Sequence, residues 1–370
     1  MKKYIFTAII FATAAISCTK SNLVEVPQSQ ETPITFEVYN GKATMTKATS
    51  IIGATESPDN GQSLAEAGGF HVTAFKRPTA TTTDYSSAYF NKDMVWSTNA
   101  WTAEDNFDVF WPGDATLDFV AFGNNVSDKK VTSNGVSNVD LISPISPATD
   151  HSFTQFTYNV PDNVAEQEDL VVSGMITKKL FDTNGGAILL EMEHVLSRIG
   201  FKVNVSGSAE VVIKEITLNG AFSTSGTVDL TSTEPKIVQQ KDAQNNVIKT
   251  PISYSLLPGN DVSFTATANA TQQIHSGTAE NCYMMIIPVE VGDFTTSKKP
   301  YIRIEYTLGG VDGSKDIPLT KDNTATGANM EFEAGKAYEY IFTISAAKID
   351  FTGSVMNWDE TGTNPGTPLN

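Results

Sequence analysis

Basic residues are scarce in this sequence of 370 residues, which contains 25 lysines and arginines against 42 aspartates and glutamates. The formal net charge at pH 7 is −17, and no cluster of lysine or arginine offsets it. A protein with a negative net charge repels phosphate backbones and anionic lipid head groups. We therefore expect no nucleic-acid partner.

The local motifs of common catalytic sites are missing as well. The sequence contains no GxSxG, GxxxxGK, GxGxxG, HExxH or CxxC segment, and these motifs mark hydrolase, nucleotide and metal sites. Histidine occurs only four times, as His71, His151, His194 and His275. No two of them have the spacing of local metal ligands. His194 falls at the same alternating positions as the apolar residues Met192 and Leu196. We expect no enzyme activity, no metal and no cofactor, and a structural, hydrogen-bonded role for His194.

A long apolar run occurs only once, at the start of the chain. Lys2 and Lys3 precede an apolar stretch from Tyr4 to Ile16, which is too short to span a bilayer as a permanent helix. No second run of transmembrane length follows. The pattern predicts an export signal over residues 1–17, followed by a soluble chain.

Cysteine occurs twice, as Cys18 and Cys282. The segment Ala15–Cys18 resembles a bacterial lipobox, which implies cleavage before Cys18 and attachment of several acyl chains that hold the chain on a membrane leaflet. The alternative is an ordinary secretory signal with a chance cysteine. Once Cys18 is lipidated, Cys282 has no cysteine partner, so stability has to come from a packed core.

Short runs rich in β-branched and aromatic residues fill the remainder of the chain, separated by glycine, asparagine, aspartate and proline. Apolar residues alternate with polar ones at Ile34, Phe36 and Val38, at Leu117, Phe119 and Ala121, and at Tyr338, Tyr340, Phe342 and Ile344. Alternation with period two gives a strand one apolar face and one solvent-exposed face. The sequence therefore predicts an all-β protein of the sandwich type.

Two features suggest how these strands are divided. The apolar positions change from even to odd numbers between Ile188 and Val205, which predicts a bulge, a corner or a change of sheet near Ser197–Gly200. The polar, glycine-rich loop Asp182–Gly186 is the best candidate for a domain boundary. We expect one domain over residues 48–183 and a second over residues 184–370.

Large aromatic residues are concentrated in one segment, at Trp96, Trp101, Phe107, Phe110 and Trp111. The favoured interpretation is that they belong to the core, since large rings next to a strand usually supply burial. The alternative is an exposed platform on which sugar rings stack.

Several stretches together resemble the fimbrillin-like lipoproteins of Bacteroidales, of the major and minor fimbrillin type. They are the lipobox at Cys18, ITFEV followed by TKA, FWPGDATLDFVAF, EDLVVS, LEMEHVLSRIGFKVNV, AGKAYEYIFTI and VMNW. The resemblance extends over nearly the whole mature chain. It implies two transthyretin-like β-sandwich domains in tandem and a role as a shaft, tip or anchor subunit of a surface pilus.

The resemblance also implies a route of assembly. The precursor is carried to the outer membrane as a lipoprotein, and a protease removes a pro-segment over residues 18–47, cutting between Lys47 and Ala48. Ile34, Phe36 and Val38 form the apolar face of the removable first strand, and a strand from another subunit fills the groove that it leaves. Family members are typically cut after arginine, so a lysine here leaves the protease open.

The incoming strand is expected to come from the C-terminal end, where Ile349, Phe351 and Val355 share one face with Gly353. The expected partners are other pilus subunits, the processing protease, the outer membrane through the lipid, and a host glycan or protein. One alternative is that both segments are ordinary permanent strands. A separate alternative for the function is a surface glycan-binding lipoprotein anchored through Cys18, or a pilus anchor or tip adhesin.

Overall fold

Strands form nearly all of the regular structure in the part of the chain that the computed structural model describes. The described residues are 32–39, 64, 68–77, 84–97, 100–123, 129–183, 186–256, 264–274, 283–289, 299–321, 327, 330–345, 349–357 and 367–368. Within these ranges the helical segments are α1 (Leu180–Thr183) and one 3₁₀ turn (Val164–Glu166), and none is long and apolar enough to cross a membrane. The predicted all-β class is confirmed.

Sheet I contains eight strands, numbered along the chain. From one edge to the other they are β1 (Phe36–Tyr39), β12 (Ile188–His194), β10 (Val171–Ser173), β5 (Leu117–Gly123), β2 (Phe70–Lys76), β3 (Phe90–Ser97) and β4 (Ala100–Ala103), with β11 (Ile176–Lys178) also paired to β5. β1 runs parallel to β12, and the other pairs of this sheet are antiparallel. The first strand is thus held at an edge by a strand from the middle of the sequence.

Among the residues that the structure describes, the remaining strands form four further sheets. Sheet II contains β19 (Thr271–Gln273), β13 (Ser197–Ser206), β23 (Lys336–Ser345), β24 (Ile349–Asn357) and β25 (Thr367–Pro368), with β20 (Tyr283–Ile286) also paired to β13. Sheet III contains β17 (Thr250–Leu256), β14 (Val211–Phe222), β21 (Tyr301–Leu308) and β22 (Val311–Pro318), with β18 (Phe264–Ala266) paired to β14. Sheet IV contains β16 (Ile237–Gln239), β15 (Ser225–Asp229), β9 (Thr154–Asn159) and β8 (Ser146–Pro147), and sheet V contains β6 (Lys130–Ser133) and β7 (Val136–Asp140).

Two apolar cores lie on opposite faces of sheet I, and β5 serves both. Leu117, Phe119 and Ala121 point into a core A, which also contains the inward residues of β1 and β12. Val120 and Phe122 point into a core B that continues through sheets II to IV. Since successive side chains of a strand point to opposite faces, a nearly continuous apolar run is what a strand covered on both sides requires.

The change of phase between Ile188 and Val205 has a structural cause. β12 ends at His194 in sheet I, and β13 begins at Ser197 in sheet II. The predicted change of sheet is confirmed, just ahead of the predicted position. His194 lies at this corner, nearly fully buried, with its Nδ1 2.9 Å from an equally buried carboxylate oxygen of Asp169, which confirms the structural role predicted for it.

The domain boundary predicted between residues 183 and 184 falls between β11 and β12, which both hydrogen-bond within sheet I. Sheet IV joins β9, from the first half of the chain, to β15, from the second half. The division into residues 48–183 and 184–370, and the tandem transthyretin-like layout, stay predictions.

Candidate functional site

The candidate site is built around the edge strand β1. The side chains of β1 and of the two residues before it alternate as the sequence predicted: Ile34 and Phe36 are buried, Val38 is partly buried, and Thr35 and Glu37 face solvent. All three apolar side chains pack in or against core A.

The aromatic ring of Phe36 occupies a pocket made by three other phenylalanines. Its centroid lies 6.0 Å from that of Phe70, 6.5 Å from that of Phe90 and 6.0 Å from that of Phe119, each at a steep interplanar angle. Edge-to-face contacts at these distances are favourable because the positive edge of one ring meets the negative face of another. The three walls come from β2, β3 and β5, and we call this cavity the Phe36 pocket.

β1 is also joined to β12 through its backbone. Phe36 lies opposite Ile188 and Val38 opposite Leu190 in a parallel ladder, which begins where the N–H of Ile188 donates to the carbonyl oxygen of Thr35 (2.8 Å). Without β1, this ladder edge of β12 would be left without its partner. An unpaired edge next to an apolar pocket is a template for another strand.

The residues just before β1 are held by a second segment. The N–H of Ile34 donates to the carbonyl oxygen of Val109 (2.7 Å), and the N–H of Trp111 donates to the carbonyl oxygen of Thr32 (3.0 Å). Trp111 is itself buried in core A and contacts Phe119. The segment from residue 32 to residue 39 therefore lies in a groove with β12 on one side and residues 109–111 at its beginning.

The C-terminal residues Ile349, Phe351 and Val355 lie in β24, paired with β23 of their own chain. Ile349 is buried, whereas Phe351 and Val355 are partly buried against core B. The ring of Phe351 stacks on that of Tyr340 with centroids 4.9 Å apart and an interplanar angle of 12°. Since this strand now covers its own chain, it would have to leave that place to fill another groove.

Cys18, Lys47, Ala48, His275 and Cys282 lie outside the described residues. The first arginine after Cys18, Arg77, lies inside them, directly after β2. Its Nε donates to the buried carboxylate of Asp118 at 2.5 Å, and only 18% of its side chain is exposed. A cut after Arg77 would separate β2 from the centre of sheet I, whereas a cut after Lys47 falls between β1 and β2.

The described histidines each contact a different carboxylate. Nδ1 of His71 lies 2.7 Å from Asp93, and Nδ1 of His151 lies 3.3 Å from Asp84, while His194 contacts Asp169. Among the described residues, no group of three or more histidine, cysteine, aspartate or glutamate side chains is placed to hold a metal ion.

The aromatic segment divides between core and surface. Trp111 is buried as predicted, and Trp101 packs on core A, 4.9 Å from the ring of Phe70. The core interpretation is wrong for Trp96, Phe107 and Phe110, which are 42%, 70% and 38% exposed. Trp96 lies in β3 and Phe107 follows β4, at the opposite edge of sheet I from β1. Phe110 lies instead opposite Pro33, next to the residues that precede β1.

Comparison with known proteins places these features in context. The family model described as fimbrillin-like matches residues 46–358. A fimbrial protein from Bacteroides vulgatus has a similar structure, with a TM-score of 0.57 at 16% sequence identity over 88% of this chain and 99% of that one. A proposed cell adhesion protein from Bacteroides uniformis gives a TM-score of 0.47 at 15% identity, over 89% and 100% of the two chains. No curated protein matches this chain.

Proposed function

This chain belongs to the fimbrillin-like family, and from that membership and the geometry of β1 we propose that it is a structural subunit of a cell-surface pilus. It is exported as a lipoprotein, trimmed between Lys47 and Ala48, and polymerised when a strand of a neighbouring subunit enters the groove left by β1. Its role is adhesion and assembly, with no catalytic residue, metal or cofactor.

The observation that carries the proposal is the position of β1. It forms an edge of sheet I and runs parallel to a strand far along the chain, so its departure would break one ladder and leave the other strands paired. The strand and the residues just before it bury Phe36 and Ile34, each of which contributes about 1.5–3 kcal/mol by leaving water. Loss of β1 would expose the apolar surface of the groove and leave one row of backbone groups on β12 without hydrogen bonds. Both changes favour the binding of another strand.

Location and partners follow from the same proposal. The precursor is held on the outer membrane by lipid on Cys18, and the trimmed chain stands on the cell surface joined to other pilus subunits. The processing protease acts on the segment between β1 and β2, and a host glycan or protein is the target of adhesion.

The first test is the mature N-terminus of the protein taken from its native cell surface. We expect mass spectrometry to find a chain that begins near Ala48, because removal of β1 opens the groove. Replacing Lys47 with glutamine should leave the pro-segment attached and prevent polymerisation, while the matched change Lys42→Gln in the same segment should not. A surface form that still begins with lipidated Cys18 contradicts trimming and favours an anchor.

A second candidate function is a glycan-binding lipoprotein that keeps its anchor. The exposed rings of Trp96 and Phe107 favour it, since sugar rings stack on exposed aromatic faces. The amine of Lys92 lies 5.7 Å from the ring centroid of Phe107 and pairs with Asp105. A charged pair beside an exposed ring could supply hydrogen bonds to sugar hydroxyl groups.

A glycan array followed by titration tests this second candidate. If it is correct, the intact chain binds a glycan saturably, and Trp96→Ala and Phe107→Ala weaken that binding. The matched control is Phe181→Ala, since Phe181 is 71% exposed but lies in α1, outside the aromatic segment. Equal binding by all three variants would contradict a site at Trp96 and Phe107.

A further inference from the structure

Sheet I opens into a cleft between β11 and β12, on the side of β12 that faces away from β1. Met175 and Lys178 line one side of this cleft, Leu189 and Glu191 line the other, and Asp182 of α1 lies at one end. The cleft has a volume of about 460 Å³. Ligand pockets typically measure about 300–1,000 Å³, so the cleft is large enough to hold a short segment of another molecule.

A bulge between β10 and β11 creates the cleft. Between its two ladders with β5, the chain of β10 and β11 has one residue more than β5 has, and an extra residue of this kind bends a strand. The pairing of β10 with β12 ends at Ser173. The N–H of Met175 then donates to the carbonyl oxygen of Ser232, outside sheet I, at 3.0 Å. A Cβ atom on Gly174 would lie 2.6 Å from the carbonyl oxygen of Thr233, so this close approach requires glycine.

The edge of β12 that faces the cleft has backbone groups without a strand partner. The N–H of Ile188 donates to β1, and the backbone groups of successive residues in a strand point to alternate edges. The groups of Leu189 and Glu191 therefore point toward the cleft, whereas Glu193 is paired with Val172 of β10. No strand in the described part of the chain pairs with Leu189 or Glu191 on this edge. Such an edge is a template for another extended segment.

The charges around the cleft are mainly negative. Asp182, Glu191 and Glu193 line it together with one cation, Lys178. Glu191 and Glu193 are exposed, and neither forms an ion pair with another residue that the structure describes. Since they are two residues apart on one face of β12, a single cation opposite Glu191 lies within reach of both carboxylates. The exposed side chain of Leu189 adds an apolar contact beside them.

We propose that this cleft binds an extended segment of a partner protein that carries a lysine or an arginine. The backbone of the segment pairs with β12 at Leu189 and Glu191, and its basic side chain lies between the carboxylates of Glu191 and Glu193. The same carboxylates repel a segment with an acidic residue at that position. This interaction goes beyond the proposed function and does not require removal of β1, because the cleft lies at the other edge of β12.

Fluorescence polarisation with three labelled peptides tests the binding to the intact chain. The first probe is acetyl-Thr-Thr-Lys-Thr-Thr-amide, and the second has glutamate in place of the lysine. The third keeps the lysine but has the backbone nitrogens of its three central residues methylated, which removes their hydrogen-bond donors and leaves the charge. Hydrogen exchange of the intact chain, measured by mass spectrometry with and without the lysine peptide, locates the binding site.

We expect the lysine peptide to bind saturably and to slow the exchange of the amides of Leu189 and Glu191, while the other two peptides bind more weakly. Glu191→Gln should weaken binding of the lysine peptide about threefold to fivefold, the effect of losing one exposed ion pair. The matched control is Glu210→Gln, which changes an exposed carboxylate just before β14 in sheet III and should leave binding unchanged.

Four results would overturn the proposal. They are the absence of saturable binding by the lysine peptide, equal affinity for the glutamate or the methylated peptide, equal binding by the Glu191→Gln variant, and slowed exchange only in other parts of the chain. The first shows that the cleft takes no such segment, and the others show that the bound peptide does not use the edge and the carboxylates of β12.

Discussion

Replacing Phe36 with aspartate should lower the free energy of unfolding of the uncut chain by at least about 4 kcal/mol. Removing a buried phenylalanine side chain costs about 3–5 kcal/mol, and the new carboxylate has no partner among the rings of Phe70, Phe90 and Phe119. Urea unfolding of the uncut chain, followed by tryptophan fluorescence, measures the change.

The matched control is Glu37→Ala, one residue further along β1. Glu37 faces solvent on the opposite side of the strand, so this variant should unfold close to the parent chain. Unchanged unfolding of Phe36→Asp would contradict a groove-filling role for Phe36.

The proposed trimming adds a second readout to the same variant. Since the mature chain lacks position 36, pili that do assemble from Phe36→Asp should be as stable as those of the parent protein, although fewer precursors survive to assemble. A variant pilus that dissociates more easily would mean that residue 36 remains in the fibre, which contradicts removal of β1.

Replacing Arg77 with methionine should lower the free energy of unfolding by about 3 kcal/mol, because it leaves the buried carboxylate of Asp118 without its cation. Asp118 is 0% exposed, and its remaining donors are Thr177 at 2.6 Å and Tyr85 at 3.3 Å. The hydrogen bond with Asp118 also raises the pKa of Arg77, which favours the charged guanidinium. Urea unfolding at pH 7 checks the loss.

The control for this prediction is a second ion pair in the same chain. Arg303 donates to Asp316 through Nε at 2.7 Å and through a terminal nitrogen at 2.8 Å, but both side chains are close to half exposed. Solvent screens such pairs, so Arg303→Met should change unfolding little. Equal losses for the two variants would mean that burial of Asp118 does not set the cost.

Several features of the fold could be predicted from the sequence because they depend on local pattern. The alternation in Ile34–Val38 indicated a strand and the face that it buries, and the change of phase before Ile199 indicated a change of sheet. The apolar phase of His194 indicated a structural residue. In each case the signal lies within a few neighbouring residues, since the side chains of a strand alternate with period two.

Local patterns did not predict which of the aromatic residues are exposed. Trp111 and Phe107 are only a few residues apart in the same aromatic segment, yet one is buried and the other is 70% exposed. Burial depends on which other parts of the chain cover a side chain, and these lie far away in the sequence. Local composition does not contain that information.

The sequence by itself therefore determined that the chain is all β, that its first strand has an apolar face, and that its formal net charge is −17. Only the tertiary structure decided that this strand lies at an edge beside Ile188–His194, and that Phe36 enters a pocket drawn from β2, β3 and β5. It also placed β24 on its own chain, where Phe351 stacks on Tyr340. Strand partners are chosen by contacts between residues far apart in the chain, and alternation within one strand specifies a face but not the surface that the face meets.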